Sequence, residues 1–324
     1  MYKSLMILGG TGFLGKVLLD AYLNEQLKKY NINNLILVGN KFKEVKKILL
    51  NFRSKKKVFF LKKNLIKANS LPYADYIIYA AEYVSYNKIL SNYKNNSGRE
   101  TLNNCFRILS KNIFLKSKIL YVSSGAVYAK QKKKNKKKFT ESSKLYSINN
   151  RKPNNTNEMY LVNKLVGEKK TLELSKKYKR KTSIVRCFAL VGKFLPLNKQ
   201  YAIGNFINSV INKTKIKIHE KSSKNVFRSY MSSDDLVKCL IKVVISSNNK
   251  CEIYNIGSDK AISIWSLANY FAKKFKIKFV YPRQNNKKFD FYVPDIRKIR
   301  NKFKINIVTN FNQLIDRTLN EIKV

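Results

Sequence analysis

Tyr160 and Lys164 are two side chains whose spacing suits acid–base chemistry. They lie four residues apart in a helix-like segment, so both would project from the same face of the helix. A tyrosine hydroxyl with its ordinary pKa of about 10 is a poor base at neutral pH. A neighbouring ammonium group stabilises the phenolate and lowers that pKa. The pair therefore predicts proton transfer to and from a substrate hydroxyl.

Two serines precede this pair in the sequence, at the end of a buried apolar run. The run Ile119–Ser123 has the pattern of a strand, and Ser124 follows directly. Strand ends in an open parallel sheet face the crevice in which ligands bind. We expect a serine hydroxyl at this strand end, that of Ser123 or of Ser124, to hold a substrate oxygen. Because Tyr-x-x-x-Lys often occurs by chance, the hypothesis depends on its combination with these serines and with a glycine loop.

The glycine loop follows the first apolar run. Gly9–Gly15 reads GGTGFLG and matches G-x-G-x-x-G from Gly10 onward. Such a loop makes a tight turn, lets backbone amides approach a pyrophosphate, and places the phosphate at a helix N-terminus. Ser4–Leu8 before it and Phe13–Tyr30 after it have the required strand and helix patterns. The sequence therefore predicts a dinucleotide cofactor.

The residues after the second predicted strand bear on the choice between NAD and NADP. An acidic residue commonly stands there and bonds the ribose of NAD, but this sequence has Asn40 followed by Lys41. Asn40 can bond a ribose hydroxyl, although it cannot repel a 2′-phosphate as an aspartate would. Lys41 and Lys43 favour NADP, unless they belong to the general excess of lysine. We expect NAD, with NADP as the alternative.

Strand and helix patterns alternate through the first half of the chain. Predicted strands are Ser4–Leu8, Leu35–Val38, Val58–Leu61, Tyr76–Ala80, Ile119–Ser123 and Thr182–Phe188, and predicted helices are Phe13–Tyr30, Lys43–Phe52, Glu100–Lys111 and Asn157–Tyr178. This order is typical of a parallel sheet covered on both faces. We predict an α/β protein with a Rossmann doubly wound sheet in residues 1–186. A smaller α/β substrate-binding domain would occupy 187–324, with 226–257 returning to the first domain.

Polar residues mark the starts of several predicted helices. Asn157 is expected to cap the long helix that carries Tyr160. Ser263 is expected to cap a later helix with a continuous apolar stripe. We expect Trp265 on that helix to pack against neighbouring side chains rather than to bind a ligand.

Positive charge is the extreme property of the composition. The chain has 67 Lys and Arg against 19 Asp and Glu, a formal net charge of +48. Such an excess can bind nucleic-acid phosphates, and it is densest in Lys130–Lys138 (KQKKKNKKK). We favour an A+T-rich coding sequence as its main cause, because Lys, Asn, Ile, Phe and Tyr, which A+T-rich codons encode, are abundant together. The run has no interleaved aromatic residues for stacking on bases, so we expect nonspecific attraction at most, and an RNA-binding protein is the alternative of another class.

The remaining composition argues against several other classes of protein. The length of 324 residues allows a large core, and an apolar fraction of 44% is too high for a disordered basic tail. Four scattered cysteines and a single histidine, His219, argue against disulfides, a zinc site or a Ser-His-Asp triad. Leu5–Leu23 contains four glycines and Lys16, unlike a signal peptide or a membrane span. We expect a cytoplasmic protein with no metal and no membrane partner.

Motifs along nearly the whole chain resemble one known family. They are similar to those of extended short-chain dehydrogenases/reductases, and more closely to those of NAD-dependent nucleotide-sugar epimerases/dehydratases. The motifs are GGTGFLG (Gly9–Gly15), YAA (Tyr79–Ala81), VSSGAVY (Val122–Tyr128), YLVNKLVGE (Tyr160–Glu168), RCFALVG (Arg186–Gly192), YAIGNFI (Tyr201–Ile207), FRSYMSSDDLV (Phe227–Val237), YNIGSDKAISI (Tyr254–Ile264) and YVPD (Tyr292–Asp295). The resemblance implies an enzyme, NAD as cofactor and a nucleotide-diphosphate sugar as substrate, in cell-surface polysaccharide or lipopolysaccharide sugar biosynthesis.

The resemblance also implies roles for individual residues. Ser124 and Tyr160 would contact the sugar 4-hydroxyl, and Lys164 would bind the nicotinamide ribose while lowering the pKa of Tyr160. Arg228 would hold the nucleotide diphosphate, and Asn205 lies in the substrate loop. The implied cofactor-binding residues are Gly9, Gly12, Phe13, Leu14, Gly15, Asn40, Asn64, Leu65, Ala80, Ala81, Tyr160 and Lys164. A homodimer formed through Glu100–Lys111 and Asn157–Tyr178 is a further implication.

The sequence departs from the family pattern in two places. The 4,6-dehydratases carry acidic residues directly after the catalytic hydroxyl residue, whereas this chain has Gly125 and Ala126. Asn64 stands where an aspartate usually lies near the adenine. The first departure favours a 4-epimerase that works through a 4-keto intermediate. A 4,6-dehydratase and a 4-keto-sugar reductase are the alternatives within the family.

Overall fold

The residues that the structure describes cover most of the chain. The computed structural model describes residues 2–50, 52, 57–81, 97–130, 136–147, 153, 155–197, 201–218, 224–280, 289–307 and 310–323. His219 and residues 131–135 of the lysine-rich run lie outside these ranges.

Strands and helices alternate in the order that the apolar runs predict. The strands are β1 (Lys3–Leu8), β2 (Ile32–Gly39), β3 (Lys57–Lys62), β4 (Tyr76–Tyr79), β5 (Lys118–Ser124), β6 (Lys181–Cys187), β7 (Leu190–Val191), β8 (Ile216–Lys217), β9 (Val226–Arg228), β10 (Met231–Ser232), β11 (Glu252–Ile256), β12 (Ile262–Ser263), β13 (Phe279–Val280) and β14 (Asp290–Tyr292). The helices are α1 (Phe13–Leu23), α2 (Lys43–Leu50), α3 (Ser97–Leu109), α4 (Thr156–Lys176), α5 (Ala202–Ile211), α6 (Ser233–Ser246), α7 (Ile264–Phe275), α8 (Arg297–Phe303) and α9 (Phe311–Lys323).

A seven-stranded sheet is the main layer of the molecule. Its order is β11-β6-β5-β4-β1-β2-β3, and β1 pairs in parallel with both β2 and β4. Leu5–Leu8 of β1 are fully buried because the strand lies in the middle of the sheet. The strand order reverses beside β1, and ligands of open α/β sheets bind at the carboxyl ends of the strands at such a point. The predicted α/β fold with a Rossmann doubly wound sheet is confirmed.

The outermost strand of this sheet has a different character. Among the described residues β3 has a neighbour on one side only, which is β2. It begins at Lys57 and ends at Lys62, and Phe59 between them is 51% exposed. The strand therefore combines an open edge with an exposed aromatic side chain and a lysine at each end.

Two compact units divide the chain. The first unit comprises Met1–Val127, Ser147–Arg186 and Val237–Tyr254, and the second comprises Tyr128–Tyr146, Cys187–Leu236 and Asn255–Val324. One boundary between the units falls between Arg186 and Cys187, and residues 128–146 also belong to the second unit. Of the segment 226–257 that was predicted to return, 237–254 belongs to the first unit.

Several helix ends differ from the predicted positions. α3 runs Ser97–Leu109 rather than Glu100–Lys111, and two further differences have a local cause. α1 ends at Leu23 rather than Tyr30, because the Asn24 side-chain amide donates to the Asp20 carbonyl and Glu25 adopts a left-handed φ of 62°. α4 is capped by Asn155, whose side-chain oxygen accepts from the Glu158 amide at 2.9 Å. The prediction of Asn157 as the cap is therefore wrong, since Asn157 lies inside the first turn.

Small sheets and apolar helices form the second unit. β9 pairs with β12 and β14, β7 with β10, and β8 with β13. The Ser263 hydroxyl caps α7 by accepting from the Ser266 amide at 3.0 Å, as predicted. Trp265 packs against Phe279, with ring centroids 5.4 Å apart. Among the described residues, no helix combines the length and the apolar character needed to cross a bilayer.

Hydrogen bonds to Asp75, which directly precedes β4, connect the start of this strand to β1. The Asp75 carboxylate accepts from the Lys3 ammonium and from the backbone amide and hydroxyl of Ser4, each at 2.9 Å. Burial by itself would raise the pKa of Asp75, but these bonds outweigh it and hold the pKa below its ordinary value. The carboxylate thus stabilises the fold above the ordinary aspartate pKa, and this contribution disappears as pH falls through the lowered value.

Replacing Asp75 with asparagine is expected to lower the free energy of unfolding by about 1.5–3 kcal/mol at pH 7, because bonds to a charged group are lost. Urea unfolding at pH 7 and at about pH 3 would measure this, and the difference from wild type should shrink at the lower pH. Glu25→Gln is the control, because Glu25 pairs with Lys28 only at 4.0 Å on the exposed surface. A difference that is equal at both pH values would contradict the expectation.

Candidate active site

The glycine loop packs tightly between β1, β2 and β4. Gly9 has a φ of +91°, and a side-chain Cβ there would lie 2.6 Å from the Ala81 Cα. A Cβ on Gly15 would lie 2.2 Å from the Gly10 carbonyl oxygen. These glycines are needed for the fold itself, because strand ends and helix approach more closely than a side chain allows. The loop also places Ala80 and Ala81 beside Gly9, so three of the predicted cofactor residues lie together.

Gly12 differs from the other glycines of the loop. A Cβ built there would meet only the Gly9 carbonyl oxygen, at 3.4 Å, and its φ of −82° is open to any residue. Packing within the described residues does not explain why this position is glycine. Close approach of a ligand phosphate to the loop backbone explains it. Gly12 is the N-cap of α1 without a side-chain cap, so the first amides of the helix, from Phe13 to Gly15, lack intrahelical partners. This cradle fits the pyrophosphate of a dinucleotide.

The predicted adenosine-side residues lie at the ends of β2 and β3. Asn40 and Lys41 are exposed just after β2, and no carboxylate lies between residues 39 and 43. The Asn64 side-chain oxygen accepts from the Ile66 amide at 3.0 Å, so Asn64 shapes the turn after β3 while remaining exposed. The Leu65 side chain is buried in the core of the first unit. A cofactor would therefore meet Leu65 through its backbone.

Lys164 is fixed at the centre of the candidate site. Its ammonium donates to the Val122 carbonyl of β5 at 2.9 Å and lies 5.5 Å from the centroid of the Tyr160 ring. The lysine is 6% exposed, whereas Tyr160 is partly exposed. A buried cation beside an accessible phenol stabilises the phenolate form. The structure thus brings together the two residues whose spacing suggested proton transfer.

The two serines at the end of β5 have different surroundings. The Ser124 hydroxyl accepts from the Ala126 amide at 3.2 Å, which leaves its proton able to donate to a substrate oxygen. The Ser123 hydroxyl is buried and donates to the Glu168 carboxylate at 2.6 Å. This bond disfavours the substrate contact expected for Ser123. Gly125 and Ala126 follow in a 3-10 turn, so no carboxylate stands where the dehydratases have theirs.

Sequence reasoning assigned no role to Glu168 or Arg186. Glu168 lies on α4 one turn after Lys164, and its carboxylate accepts from Arg186 of β6 at 2.9 and 2.7 Å. The i, i+4 spacing from Lys164 and the presence of both residues in family-like motifs were signals that could have drawn attention to them.

Arg228 lies in the second unit, on β9. Its guanidinium donates to the Asp290 carboxylate at 2.8 Å and lies 5.6 Å from the centroid of the Tyr292 ring. Arg228 and Asp290 are each about one-quarter to one-third exposed, so the pair is accessible to solvent. An incoming phosphate would have to compete with Asp290 for this arginine. Asn205 is partly exposed on α5.

The lysine-rich run continues into ordered contacts in the second unit. The Lys136 ammonium lies 4.7 Å from the centroid of the Phe227 ring. Lys138 pairs with Asp259 at 3.6 Å, and Asp259 also accepts from Arg300. This end of the run is therefore engaged within the protein.

The described cysteines are not arranged for nucleophilic or metal chemistry. Burial raises the pKa of the Cys105 thiol to about 12 and that of Cys251 to about 11, so both are protonated at neutral pH. Cys187 and Cys239 also form no disulfide within the described residues. No cluster of three or more His, Cys, Asp or Glu side chains that could hold a metal ion occurs in the part of the chain that the structure describes.

Comparison with known proteins gives a family match and many similar folds. The model of the NAD dependent epimerase/dehydratase family matches residues 5–257. No curated protein matches the chain. A dTDP-glucose 4,6-dehydratase from Streptomyces venezuelae, solved with NAD, shares 16% identity and a TM-score of 0.78, with 99% of this chain and 97% of that chain covered.

Two further solved structures show the same fold. A UDP-N-acetylglucosamine 4-epimerase from Methanobrevibacter ruminantium M1 shares 17% identity and a TM-score of 0.74, with 99% and 98% of the two chains covered. The enzyme WbmF from Bordetella bronchiseptica, solved with NAD⁺, also shares 17% identity and a TM-score of 0.74, with 99% and 92% covered. At these identities the likeness concerns the fold, and both dehydratases and epimerases have it.

Proposed function

Because the chain belongs to the NAD-dependent epimerase/dehydratase family, we propose that it is a nucleotide-sugar 4-epimerase that works through a 4-keto intermediate. The observation that carries the proposal is the buried Lys164 ammonium, held by the Val122 carbonyl and 5.5 Å from the Tyr160 ring. The lysine bonds the strand whose last residue, Ser124, offers a hydroxyl. The three groups together can bind and deprotonate a sugar hydroxyl.

The proton steps follow from these three side chains. Ser124 donates to the sugar 4-oxygen and orients it toward Tyr160. The Tyr160 phenolate accepts the 4-hydroxyl proton, and Lys164 stabilises the phenolate that is needed for this step. NAD, when bound, supplies the hydride acceptor and donor for C4. Tyr160 returns the proton to the 4-oxygen once the opposite configuration has formed.

The glycine loop and its neighbours are the proposed cofactor site. Gly9, Gly12 and Gly15 would let the amides of Phe13 and Leu14 meet the pyrophosphate at the α1 N-terminus. Asn40 would bond the adenosine ribose, with the exposed Lys41 as the neighbour of a 2′-phosphate if NADP binds instead. Asn64, Leu65, Ala80 and Ala81 would line the remainder of the cofactor, as the family resemblance implies.

Epimerisation is favoured over 4,6-dehydration by the 3-10 turn after Ser124. Loss of water from C5 and C6 needs an acid and a base near those carbons, and Gly125 and Ala126 supply neither. The proposed substrate is a nucleotide-diphosphate sugar, with Arg228 and Asn205 as its further ligands. A homodimer through α3 and α4, a cytoplasmic location and a role in cell-surface sugar biosynthesis complete the proposal.

Incubation with a panel of nucleotide sugars would test the proposed reaction. We expect purified protein with UDP-, dTDP-, GDP- or CDP-hexoses to convert one of them into its C4 epimer, with no net consumption of NADH. Proton NMR of the products and absorbance at the NADH band would measure both. A 4-keto-6-deoxy product would show a dehydratase instead, and stoichiometric oxidation of added NAD(P)H would show a reductase.

A further inference from the structure

A buried ion pair lies beneath the catalytic helix, away from the reacting groups. The Glu168 carboxylate on α4 pairs with the Arg186 guanidinium on β6, with Oε2 2.7 Å from Nη2. Glu168 is 4% exposed and Arg186 is 2% exposed. Removing two charges from water costs several kcal/mol each, and the gain from pairing them often does no better than apolar packing. A contribution to stability is therefore a weak reason for this pair, whereas a defined geometry is a stronger one.

The same carboxylate also holds the catalytic strand. Glu168 Oε1 accepts from the Ser123 hydroxyl at 2.6 Å, next to Ser124 in the chain. One carboxylate thus connects α4 with both β5 and β6. The bonds from Ser123 and Arg186 to Glu168 are buried and 2.6–2.9 Å long. They therefore restrict sliding and rotation of α4.

Three contacts, with three successive residues of β5, define how α4 is aligned on this strand. Gly167 lies against the Tyr121 hydroxyl, where a Cβ would come within 2.0 Å. Lys164 bonds the carbonyl of the next strand residue, Val122, and Glu168 bonds the side chain of the residue after that, Ser123. This sequence of contacts fixes which part of the helix faces Ser124. Tyr160 lies one turn before Lys164, so its place depends on the same alignment.

We infer that Glu168 is a positioning residue, which through Ser123 and Arg186 holds α4 on β5 and β6 and so places Tyr160 and Lys164 relative to Ser124. The inference rests on the proposed function for its consequence in catalysis. Its structural part, the dependence of the α4 position on this carboxylate, stands independently. Glu168 does not touch the substrate in this scheme.

Ser123→Ala, Glu168→Gln and the double variant form the test. Ser123→Ala removes only the bond to the strand, so we expect kcat to fall by about tenfold while KM and the Kd for NAD stay within about twofold, since small displacements of catalytic groups act on the chemical step. The double variant should be no slower than the worse single variant, because both changes act on the Ser123–Glu168 bond, and Glu168→Gln also alters the pair with Arg186. Glu173→Gln, at an exposed position on the same helix, is the matched control.

Hydrogen exchange provides a readout that needs no substrate. Amides in residues 156–164 should exchange several times faster in Ser123→Ala and Glu168→Gln than in wild type and Glu173→Gln. If Glu168→Gln does not fold, the double variant Glu168→Leu with Arg186→Met replaces it, because apolar side chains of similar volume often substitute for a buried pair.

Several outcomes would overturn the inference. A raised KM for Ser123→Ala with unchanged kcat would mean that Ser123 contacts the substrate itself. Additive effects in the double variant, or unchanged exchange in residues 156–164, would mean that the carboxylate does not position the helix. Failure of the proposed function is a separate result, because it appears as an active Tyr160→Phe variant or as absence of turnover in wild type, while the exchange measurement still decides the role of Glu168.

Discussion

Tyr160→Phe is expected to lower kcat for sugar epimerisation by about 10²- to 10⁴-fold, the range that one positioned acid–base group contributes. The variant keeps the ring beside Lys164 and removes only the hydroxyl that takes the proton. The Kd for NAD and the melting temperature should stay close to wild type, because the Lys164–Val122 bond does not involve the phenol. Steady-state kinetics with the substrate found in the nucleotide-sugar panel, and calorimetry with NAD, would measure these values.

Tyr178→Phe is the matched control for this variant, since Tyr178 lies just beyond the same helix and packs against the apolar core of the first unit. It should retain full activity. Turnover by Tyr160→Phe at the wild-type rate would remove Tyr160 from the mechanism and, with it, the proposed reaction. A raised KM at unchanged kcat would instead make Tyr160 a binding group.

Gly12→Ala and Gly15→Ala are expected to affect different properties. Gly12→Ala should weaken NAD binding, whereas Gly15→Ala should lower the stability of the fold. Gly12→Ala should fold normally, because its Cβ has room at 3.4 Å from the Gly9 oxygen. It should weaken NAD binding by about 10- to 150-fold, if one charge-assisted bond to the pyrophosphate, worth about 1.5–3 kcal/mol, is lost. Gly15→Ala should lower stability itself, because a Cβ 2.2 Å from the Gly10 oxygen forces the loop away from the helix.

Thermal melting without cofactor should show a lowered melting temperature for Gly15→Ala and not for Gly12→Ala. Titration with NAD then measures the Kd of Gly12→Ala. Wild-type NAD affinity in Gly12→Ala would show that the cofactor does not approach this glycine. A cofactor-independent loss of stability in Gly12→Ala would assign it to the fold instead.

Local sequence patterns predicted the parts of the site that lie close together in the chain. The glycine loop, the serines at the end of β5 and the Tyr160–Lys164 pair each occupy a single short segment. Apolar runs also predicted six of the seven strands of the large sheet in outline, all except β11, because buried parallel strands are continuously apolar. The paired residues that join these segments carry no comparable signal.

Long-range partners account for much of what the sequence could not predict. Glu168 bonds Ser123 and Arg186, which lie 45 and 18 residues away. Arg228 bonds Asp290 at a distance of 62 residues. Strands of two or three residues in the second unit are too short to show a period. The cap of α4 fell on Asn155 rather than Asn157 because several polar residues precede the helix and only backbone geometry selects one of them.

The lysines at the edge strand β3 affect how copies of the chain associate, independently of any ligand. A strand that has a neighbour on one side only among the described residues, and that carries an exposed phenyl ring, is a template on which a second copy could add its own strand and begin a fibre. Lysine at both ends of β3 makes such growth unfavourable, because each added copy would bring like charges to within a few ångströms. The lysine excess that suggested nucleic-acid binding would thus also disfavour the addition of a second copy at the β3 edge.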